Sequence, residues 1–161
     1  MSTQIGHPFP QFSLPAAVPQ GDNIVEQTMS NDDLRGRTTV VFFYPKDATS
    51  GCTVEVCGFR DLYPEFEKLN VQVIGVSRDT VSSHKRFIQN QNLPYPLIAD
   101  NERVLIDGLE LLIHKTMYGK PVTGVLRNTF VLDKAGNIAR IFEKVTPLGH
   151  AQEVLDCVRS L

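Results

Sequence analysis

One stretch of the chain, residues 39–57, constrains the fold more than any other. It opens with residues 40–44, an unbroken run of β-branched and aromatic side chains, which is typical of a strand buried on both faces of a sheet. Pro45 ends this run, because proline cannot donate to a sheet ladder. A loop of small and polar residues, 46–51, then leads to Cys52, where a segment with helical character begins. The stretch therefore predicts a cysteine at the point where a buried strand turns into a helix.

The predicted position of Cys52 favours chemistry at its sulfur. Backbone N–H groups in the first turn of a helix lack intrahelical partners, and the helix dipole is positive there. Both effects favour a thiolate over a thiol, so they lower a cysteine pKa from its free value of about 8.5. Because the thiolate is the nucleophilic form, we predict that Cys52 is a nucleophile. The alternative is a buried, inert cysteine, which is a common fate of free cysteines.

Bulk properties exclude several classes of protein. A chain of 161 residues with 42% apolar and 21% charged residues is ordinary for a globular protein, and we predict one domain over residues 1–161. The net charge of -2 comes from scattered charges, which argues against nucleic-acid binding. We find no apolar stretch that could span a membrane and no secretory signal, so we expect a cytoplasmic protein without a membrane partner. Three cysteines in a reducing compartment are more often catalytic than structural.

Hydrophobic patterns in the rest of the chain predict an α/β protein. Strand–helix–strand units imply parallel pairing and a final hairpin implies an antiparallel pair, so we expect a thioredoxin-like fold, a mixed central sheet with helices on both faces. The predicted strands are residues 12–18 (at a sheet edge, because of Pro15), 24–28, 39–44, 71–76, 97–99, 125–133 and 138–142. The predicted helices are a turn at 31–34, residues 52–69 with a kink or restart at Pro64, 81–91, a helix capped by Asn101, and a last helix after Pro147. Residues 1–11 are expected to form an extended arm, and 107–123 carry no assigned element.

The segment YPKDATSGCTVEVCGFRD, residues 44–61, resembles the active-site segment of peroxiredoxins. More narrowly, it is similar to the peroxiredoxin Q group, also called bacterioferritin comigratory protein. The family pattern is a proline, a threonine or serine four positions later, and the peroxidatic cysteine three positions after that. Pro45, Thr49 and Cys52 match it. Ser50 is a departure, because proline is common at that position.

Two further residues extend the resemblance, which covers the chain from about Gly6 to the final helix. Cys57 matches the resolving cysteine that one branch of the group carries five positions after the first. Arg127, in GVLRNTFVLDKAGNI, matches an arginine that the family carries on a later strand. Residues 107–123 depart from the family pattern.

The resemblance implies a thiol-dependent peroxidase, an antioxidant oxidoreductase that reduces hydrogen peroxide and organic hydroperoxides. Cys52 would become a sulfenic acid, which would condense with Cys57 to a disulfide. Thioredoxin or a similar dithiol would then reduce the disulfide. The family also often implies a monomer, and we expect no cofactor.

The matched residues suit this chemistry physically. Arg127 supplies a permanent positive charge with several donors. The Thr49 hydroxyl can donate to the sulfur or the peroxide and can accept from a protonated peroxide oxygen. Pro45 has no N–H, so it shields the pocket without competing for a hydrogen bond.

Helix geometry conflicts with a direct disulfide between Cys52 and Cys57. Five residues of an ideal helix advance roughly 7.5 Å and rotate by about 140°, so the two Cα atoms lie roughly 8–9 Å apart. A disulfide needs about 7 Å or less. We therefore predict that the helix unwinds locally before the bond forms, and that Gly58 lowers the cost by roughly 1 kcal/mol relative to alanine.

Several assignments stay open at this stage. Cys57 could be a plain helix-face residue, with an external thiol resolving Cys52, and Arg127 could be a surface strand residue. Glu55 could complement the helix dipole or orient an arginine. Thr49 is expected to cap the helix as well, Arg60 to be a solvated helix residue, and Cys157 to pack in the core. A zinc site that uses both Cys52 and Cys57 is disfavoured, because C-x4-C in a helix is a poor chelate.

Two other function classes also remain. A thiol–disulfide oxidoreductase on the same fold would normally carry C-x-x-C, which this chain lacks. A redox-sensing binding protein would use oxidation of Cys52 and Cys57 to alter a partner surface. No phosphate-binding loop or dinucleotide fingerprint appears, so we expect no nucleotide or flavin.

Overall fold

The structure, a computed structural model, describes residues 5–161. The first four residues of the predicted arm, and of the predicted domain, therefore lie outside the described part. The strands are β1 (Ser13–Gln20), β2 (Asn23–Ser30), β3 (Thr39–Phe43), β4 (Gln72–Ser77), β5 (Leu97–Ala99), β6 (Leu112–Met117), β7 (Lys120–Val125), β8 (Thr129–Leu132) and β9 (Ile138–Phe142). The helices are α1 (Ser50–Lys68), α2 (Val81–Gln91), α3 (Val104–Gly108) and α4 (His150–Arg159), with a 3₁₀ turn at Asn31–Leu34.

A seven-stranded mixed sheet forms the centre of the fold, in the order β2-β1-β5-β4-β3-β8-β9. The three inner strands β5, β4 and β3 are parallel, and the outer pairs are antiparallel. One face packs against α1, α2 and α4, and the other packs against α3, the 3₁₀ turn and the segment that contains Phe9 and Phe12. The predicted thioredoxin-like arrangement is confirmed, although the second face is covered mainly by short elements.

Strand β3 is buried on both faces, as its composition predicts. Val40 and Phe42 point to the face that carries α1, whereas Val41 and Phe43 point to the opposite face. The ring of Phe42 stacks on that of Phe59 in α1, with 4.5 Å between centroids. This stacking fixes the helix over the strand that precedes it in the chain.

The first helix differs from its prediction at both ends. It begins at Ser50 rather than Cys52, with Thr49 at the N-cap position, and it runs through Pro64 without a break to Lys68. The helix does not restart at Pro64, so that alternative of the prediction is wrong. Pro64 costs the helix one hydrogen bond, but the buried side chains of α1 continue past it to Phe66 and keep the second half packed.

Two strand predictions need correction. Strand β1 is not at an edge, because it lies between β2 and β5. Pro15 is tolerated there because β5 is short and pairs only with Ala16 and Ala17. The predicted strand 125–133 is divided, since the chain leaves β7 at Val125 and enters β8 at Thr129.

The cap of α3 was also mispredicted. The N-cap residue is Arg103, and the Asp100 carboxylate accepts hydrogen bonds from three backbone N–H groups of the first turn, at 2.7–3.0 Å. The Asn101 side chain instead donates to the backbone oxygen of Arg78 at 2.8 Å. The prediction placed the capping side chain at Asn101, whereas the neighbouring Asp100 binds the N–H groups of the first turn.

The unassigned residues 107–123 begin at the end of α3 and lie mainly in a two-stranded antiparallel hairpin formed by β6 and β7. The hairpin is separate from the main sheet, and its turn exposes Met117 and Tyr118. None of the helices within residues 5–161 is both long and apolar enough to cross a membrane.

Gly75 in the central strand β4 tests how tightly the core is packed. A Cβ atom at this position would lie 2.7 Å from Leu97 Cδ2 and 2.9 Å from Phe42 Cζ. We therefore expect Gly75→Ala to lower the free energy of unfolding by about 1–3 kcal/mol, measured by urea denaturation. Gly108→Ala is the control, because its Cβ would meet Pro10 at an ordinary 3.6 Å. Equal effects of the two substitutions would contradict this packing.

Candidate active site

Cys52 lies in the first turn of α1, at the end of β3 nearest to the loop 45–49. Its side chain is buried in the cluster that joins α1 to the sheet. Cys52, Cys57 and Cys157 are all free thiols. The predicted junction of buried strand, loop and helix is therefore present, with a reduced cysteine at its centre.

A buried hydrogen-bond cluster fixes the loop that leads to Cys52. Asp47 accepts from Tyr44 Oη at 2.6 Å and from Ser83 Oγ at 2.8 Å, and its Oδ2 lies 2.7 Å from His84 Nδ1. The Asp47 N–H donates to Asp79 Oδ2 at 2.9 Å. These bonds join the loop to the first turn of α2.

The same cluster keeps a strained residue in place. Ala48 has a left-handed φ of 64°, a conformation that costs an alanine about 1–2 kcal/mol. Potential ligand atoms of Asp47, Asp79 and His84 lie within 4.8 Å of one another. Because the carboxylates and Nδ1 are engaged with each other and with neighbouring hydroxyl and N–H groups, we assign the cluster to loop support rather than to metal binding.

Thr49 is exposed at the end of the loop that leads to α1, and Pro45 is half-buried at the start of that loop. The Thr49 hydroxyl donates to the backbone oxygen of Lys46 at 2.9 Å and makes no capping bond, so the predicted side-chain cap is wrong although the N-cap position is right. Because the hydroxyl hydrogen is engaged, the oxygen is left to accept a hydrogen bond.

Arg127 lies in the connection between β7 and β8 rather than on a strand. The Leu126 N–H donates to the Leu111 backbone oxygen at 2.9 Å, and the chain then enters the main sheet at β8. The Arg127 guanidinium reaches the first turns of α1, where Nη1 lies 3.1 Å from Glu55 Oε1. A Cβ atom on Gly51 would lie 2.9 Å from Nη2, so the glycine gives the guanidinium its space.

Glu55 orients this arginine, which settles the alternative in favour of an ion pair. Its side chain is 1% exposed, and its Oε2 atom has no hydrogen-bond partner within the described structure. Burial raises the pKa of the Glu55 carboxyl from 4.5 to about 7, against the opposing effect of the Arg127 charge. The carboxyl lies in the second turn of α1, beyond the first turn where a negative charge complements the helix dipole. Arg127 is therefore its main partner.

The loop after β9 closes one side of the site. The Val145 N–H donates to the Arg127 backbone oxygen at 2.9 Å, and the Lys144 N–H donates to Asn128 Oδ1 at 3.0 Å. Pro147 approaches Gly51, with 3.8 Å from its Cγ to the position of an added Cβ. Arg127 is therefore bound through both its side chain and its backbone.

Cys57 lies five residues further along the same unbroken helix. At this spacing in a continuous helix the Cα atoms of Cys52 and Cys57 lie roughly 8–9 Å apart, which is beyond disulfide reach. The half-buried Cys57 thiol donates to Gln91 Oε1 at 3.3 Å, and burial raises its pKa above the ordinary value.

The structure differs from the sequence predictions at two residues near Cys57. Arg60 is not merely solvated, because its Nη1 donates to the Gln91 backbone oxygen at 2.9 Å. Gln91 itself was missed, since a glutamine near a helix end carries no distinguishing signal in a single sequence. Cys157 is buried on α4, as expected for a packing residue.

The buried Glu55 carboxyl makes stability depend on pH. Because its pKa is about 7 in the folded protein and about 4.5 when unfolded, the folded state binds the extra proton between those values. The free energy of unfolding should fall as pH rises from 4.5 through 7. Relative to Glu55→Gln, wild type should lose up to about 3 kcal/mol over that range in urea denaturation.

A control on the same helix separates this effect from a general loss of charge. Lys68 holds the pKa of Glu65 below its ordinary value, so Glu65→Gln should not reproduce the loss. Parallel pH profiles of wild type and Glu55→Gln would contradict the assignment.

Comparison with known proteins identifies the family. The AhpC/TSA family model matches residues 5–141. The putative peroxiredoxin bcp of Coxiella burnetii is 38% identical, over 96% of this chain and 98% of its own length. A mutant of Xylella fastidiosa PrxQ matches with a TM-score of 0.88 at 32% identity, covering 99% of this chain and 98% of the other.

A third relative is associated with a specific activity. Xanthomonas campestris bacterioferritin comigratory protein, described for its alkyl peroxide reduction activity, matches with a TM-score of 0.81 at 36% identity, covering 91% of this chain and 90% of the other. The chain therefore belongs to the AhpC/TSA family, among the thiol-dependent peroxidases of the peroxiredoxin Q, or Bcp, group.

Proposed function

We propose that this enzyme reduces peroxides with Cys52 as the nucleophile and Cys57 as the resolving thiol. The observation that carries the proposal is the convergence of three groups on the first turn of α1. These are the buried Cys52 thiol, the exposed Thr49 hydroxyl and the Arg127 guanidinium beside Gly51. A nucleophile, an acceptor and a fixed cation are the groups that cleavage of an O–O bond needs.

In the first step, the Cys52 thiolate attacks one peroxide oxygen and the O–O bond breaks. The sulfur becomes a sulfenic acid, and the second oxygen leaves as water or an alcohol after it takes up the proton that the Cys52 thiol released on ionising. The unpaired N–H groups of the first turn and the Arg127 charge stabilise the negative charge as it moves from sulfur to oxygen. Thr49 accepts from the protonated peroxide oxygen, because its own hydrogen is bound to Lys46.

In the second step, Cys57 condenses with the sulfenic acid, and the helix unwinds to allow it. Pro64 makes unwinding easier, because it has no N–H and leaves the carbonyl of Arg60 without its helical hydrogen bond. Gly58, next to Cys57, lowers the cost of unwinding. We place the boundary of the unwound segment near these two residues.

We propose organic hydroperoxides as well as hydrogen peroxide as substrates. The alkyl peroxide activity in the description of the Xanthomonas relative supports this. So does Leu148, whose side chain is 81% exposed on the loop that approaches Gly51 and offers an apolar surface to an alkyl tail. A thioredoxin-type dithiol would reduce the disulfide, and we propose a cytoplasmic monomer, as the family implies.

Cysteine variants test both assignments directly. Reduced protein is mixed rapidly with one equivalent of hydrogen peroxide, quenched and analysed by mass spectrometry. Wild type should lose two thiols to a Cys52–Cys57 disulfide, Cys52→Ser should react slowly, and Cys57→Ser should stop at a sulfenic acid. Cys157→Ser is the control and should behave as wild type. If wild type keeps its thiols for minutes, the assignment of Cys52 as the nucleophile is wrong, and the redox-sensing binding protein becomes the better hypothesis.

A further inference from the structure

The contact between α1 and the end of α2 lies outside the steps described above. Gln91 is the last residue of α2. Its side-chain oxygen accepts from Cys57 Sγ at 3.3 Å, and its backbone oxygen accepts from Arg60 Nη1 at 2.9 Å. Gln91 thus binds both the thiol and the helical segment that carries it, 34 residues away in sequence.

The chemistry of this contact selects one form of the thiol. In the structure the amide oxygen, not the NH2 group, faces the sulfur, and an oxygen can only accept a hydrogen bond, so this contact binds Cys57 as the protonated thiol. Burial acts in the same direction, because it raises the pKa of the Cys57 thiol. A protonated thiol is a poor nucleophile. In the folded helix, Cys57 is therefore both distant from Cys52 and chemically masked.

We propose that Gln91 is a positioning residue that keeps Cys57 as a hydrogen-bonded thiol against α2 and thereby sets the rate of disulfide formation. The proposal rests on the proposed function, in which the Cys57 thiolate attacks the Cys52 sulfenic acid. That attack forms the S–S bond and breaks the S–O bond, and the hydroxyl group leaves with a proton as water. The Cys57–Gln91 bond must break first.

This contact also affects how the enzyme tolerates excess peroxide. The sulfenic acid either condenses with Cys57 or meets a second peroxide and becomes a sulfinic acid. The hydrogen bond between Cys57 and Gln91 must break for disulfide formation but not for overoxidation to the sulfinic acid. A weaker bond should therefore divert more sulfenic acid into the disulfide and less into overoxidation.

Gln91→Leu removes the acceptor and leaves the backbone contact with Arg60 available. We expect disulfide formation to accelerate about 2–10-fold, the range for one hydrogen bond of modest net strength, with the rate of Cys52 oxidation unchanged. The peroxide concentration that gives half-maximal sulfinic acid should rise by a similar factor. Both are measured by rapid quench and mass spectrometry. Gln89→Leu, on the exposed side of the same helix, is the matched control and should change neither.

Gln91→Glu separates loss of the bond from loss of packing. A carboxylate still accepts from the thiol, so disulfide formation should be as slow as in wild type or slower. The proposal is wrong if Gln91→Leu forms the disulfide at the wild-type rate, or if Gln91→Glu is as fast as Gln91→Leu. Absence of any Cys52–Cys57 disulfide in wild type would overturn the proposed function, and this proposal with it.

Discussion

A continuous α1 keeps the Cα atoms of Cys52 and Cys57 roughly 8–9 Å apart, and this separation determines how the site can work. In our proposal, the intact helix supplies Cys52 with unpaired N–H groups and places Gly51, the residue before it, beside the Arg127 guanidinium. The same intact helix excludes the disulfide that would complete the reaction. In our account, the folded helix serves the peroxide step and a locally unwound helix serves the disulfide step.

The start of α1 is held by several polar contacts, whereas its middle contains residues that weaken a helix, which fits a helix that is folded in the peroxide step and locally unwound in the disulfide step of our proposal. The loop before the helix is fixed by the buried Asp47 cluster, and Glu55 binds Arg127 from the second turn. The middle of the helix has weaker elements, since Gly58 lacks a side chain and Pro64 lacks an N–H. Gln91 contacts α1 at Cys57 and Arg60, on either side of Gly58, and in our proposal it adds a bond that unwinding must break.

Local patterns in the sequence predicted the parts of the site that depend on neighbouring residues. The composition of β3, the proline two residues after its end and the helical character of the next segment predicted correctly that Cys52 lies in the first turn of a helix. The contacts that sequence reasoning missed join distant segments, such as Asp47 with His84 and Cys57 with Gln91. Hydrophobic periodicity shows which face of an element is buried, but it does not reveal which polar side chains meet across the core. The break in the predicted strand at Arg127 was missed for a related reason, because the chain there passes from the hairpin to the main sheet.

Hydrogen exchange on the reduced and oxidised enzyme tests the central claim most directly. The amides of residues 52–62 should be protected in the reduced protein and should exchange much faster once one equivalent of peroxide has formed the Cys52–Cys57 disulfide. Amides of the central strand β4 provide the internal reference and should exchange equally slowly in both forms. A disulfide between the two cysteines in a helix that retains its full protection would contradict the account.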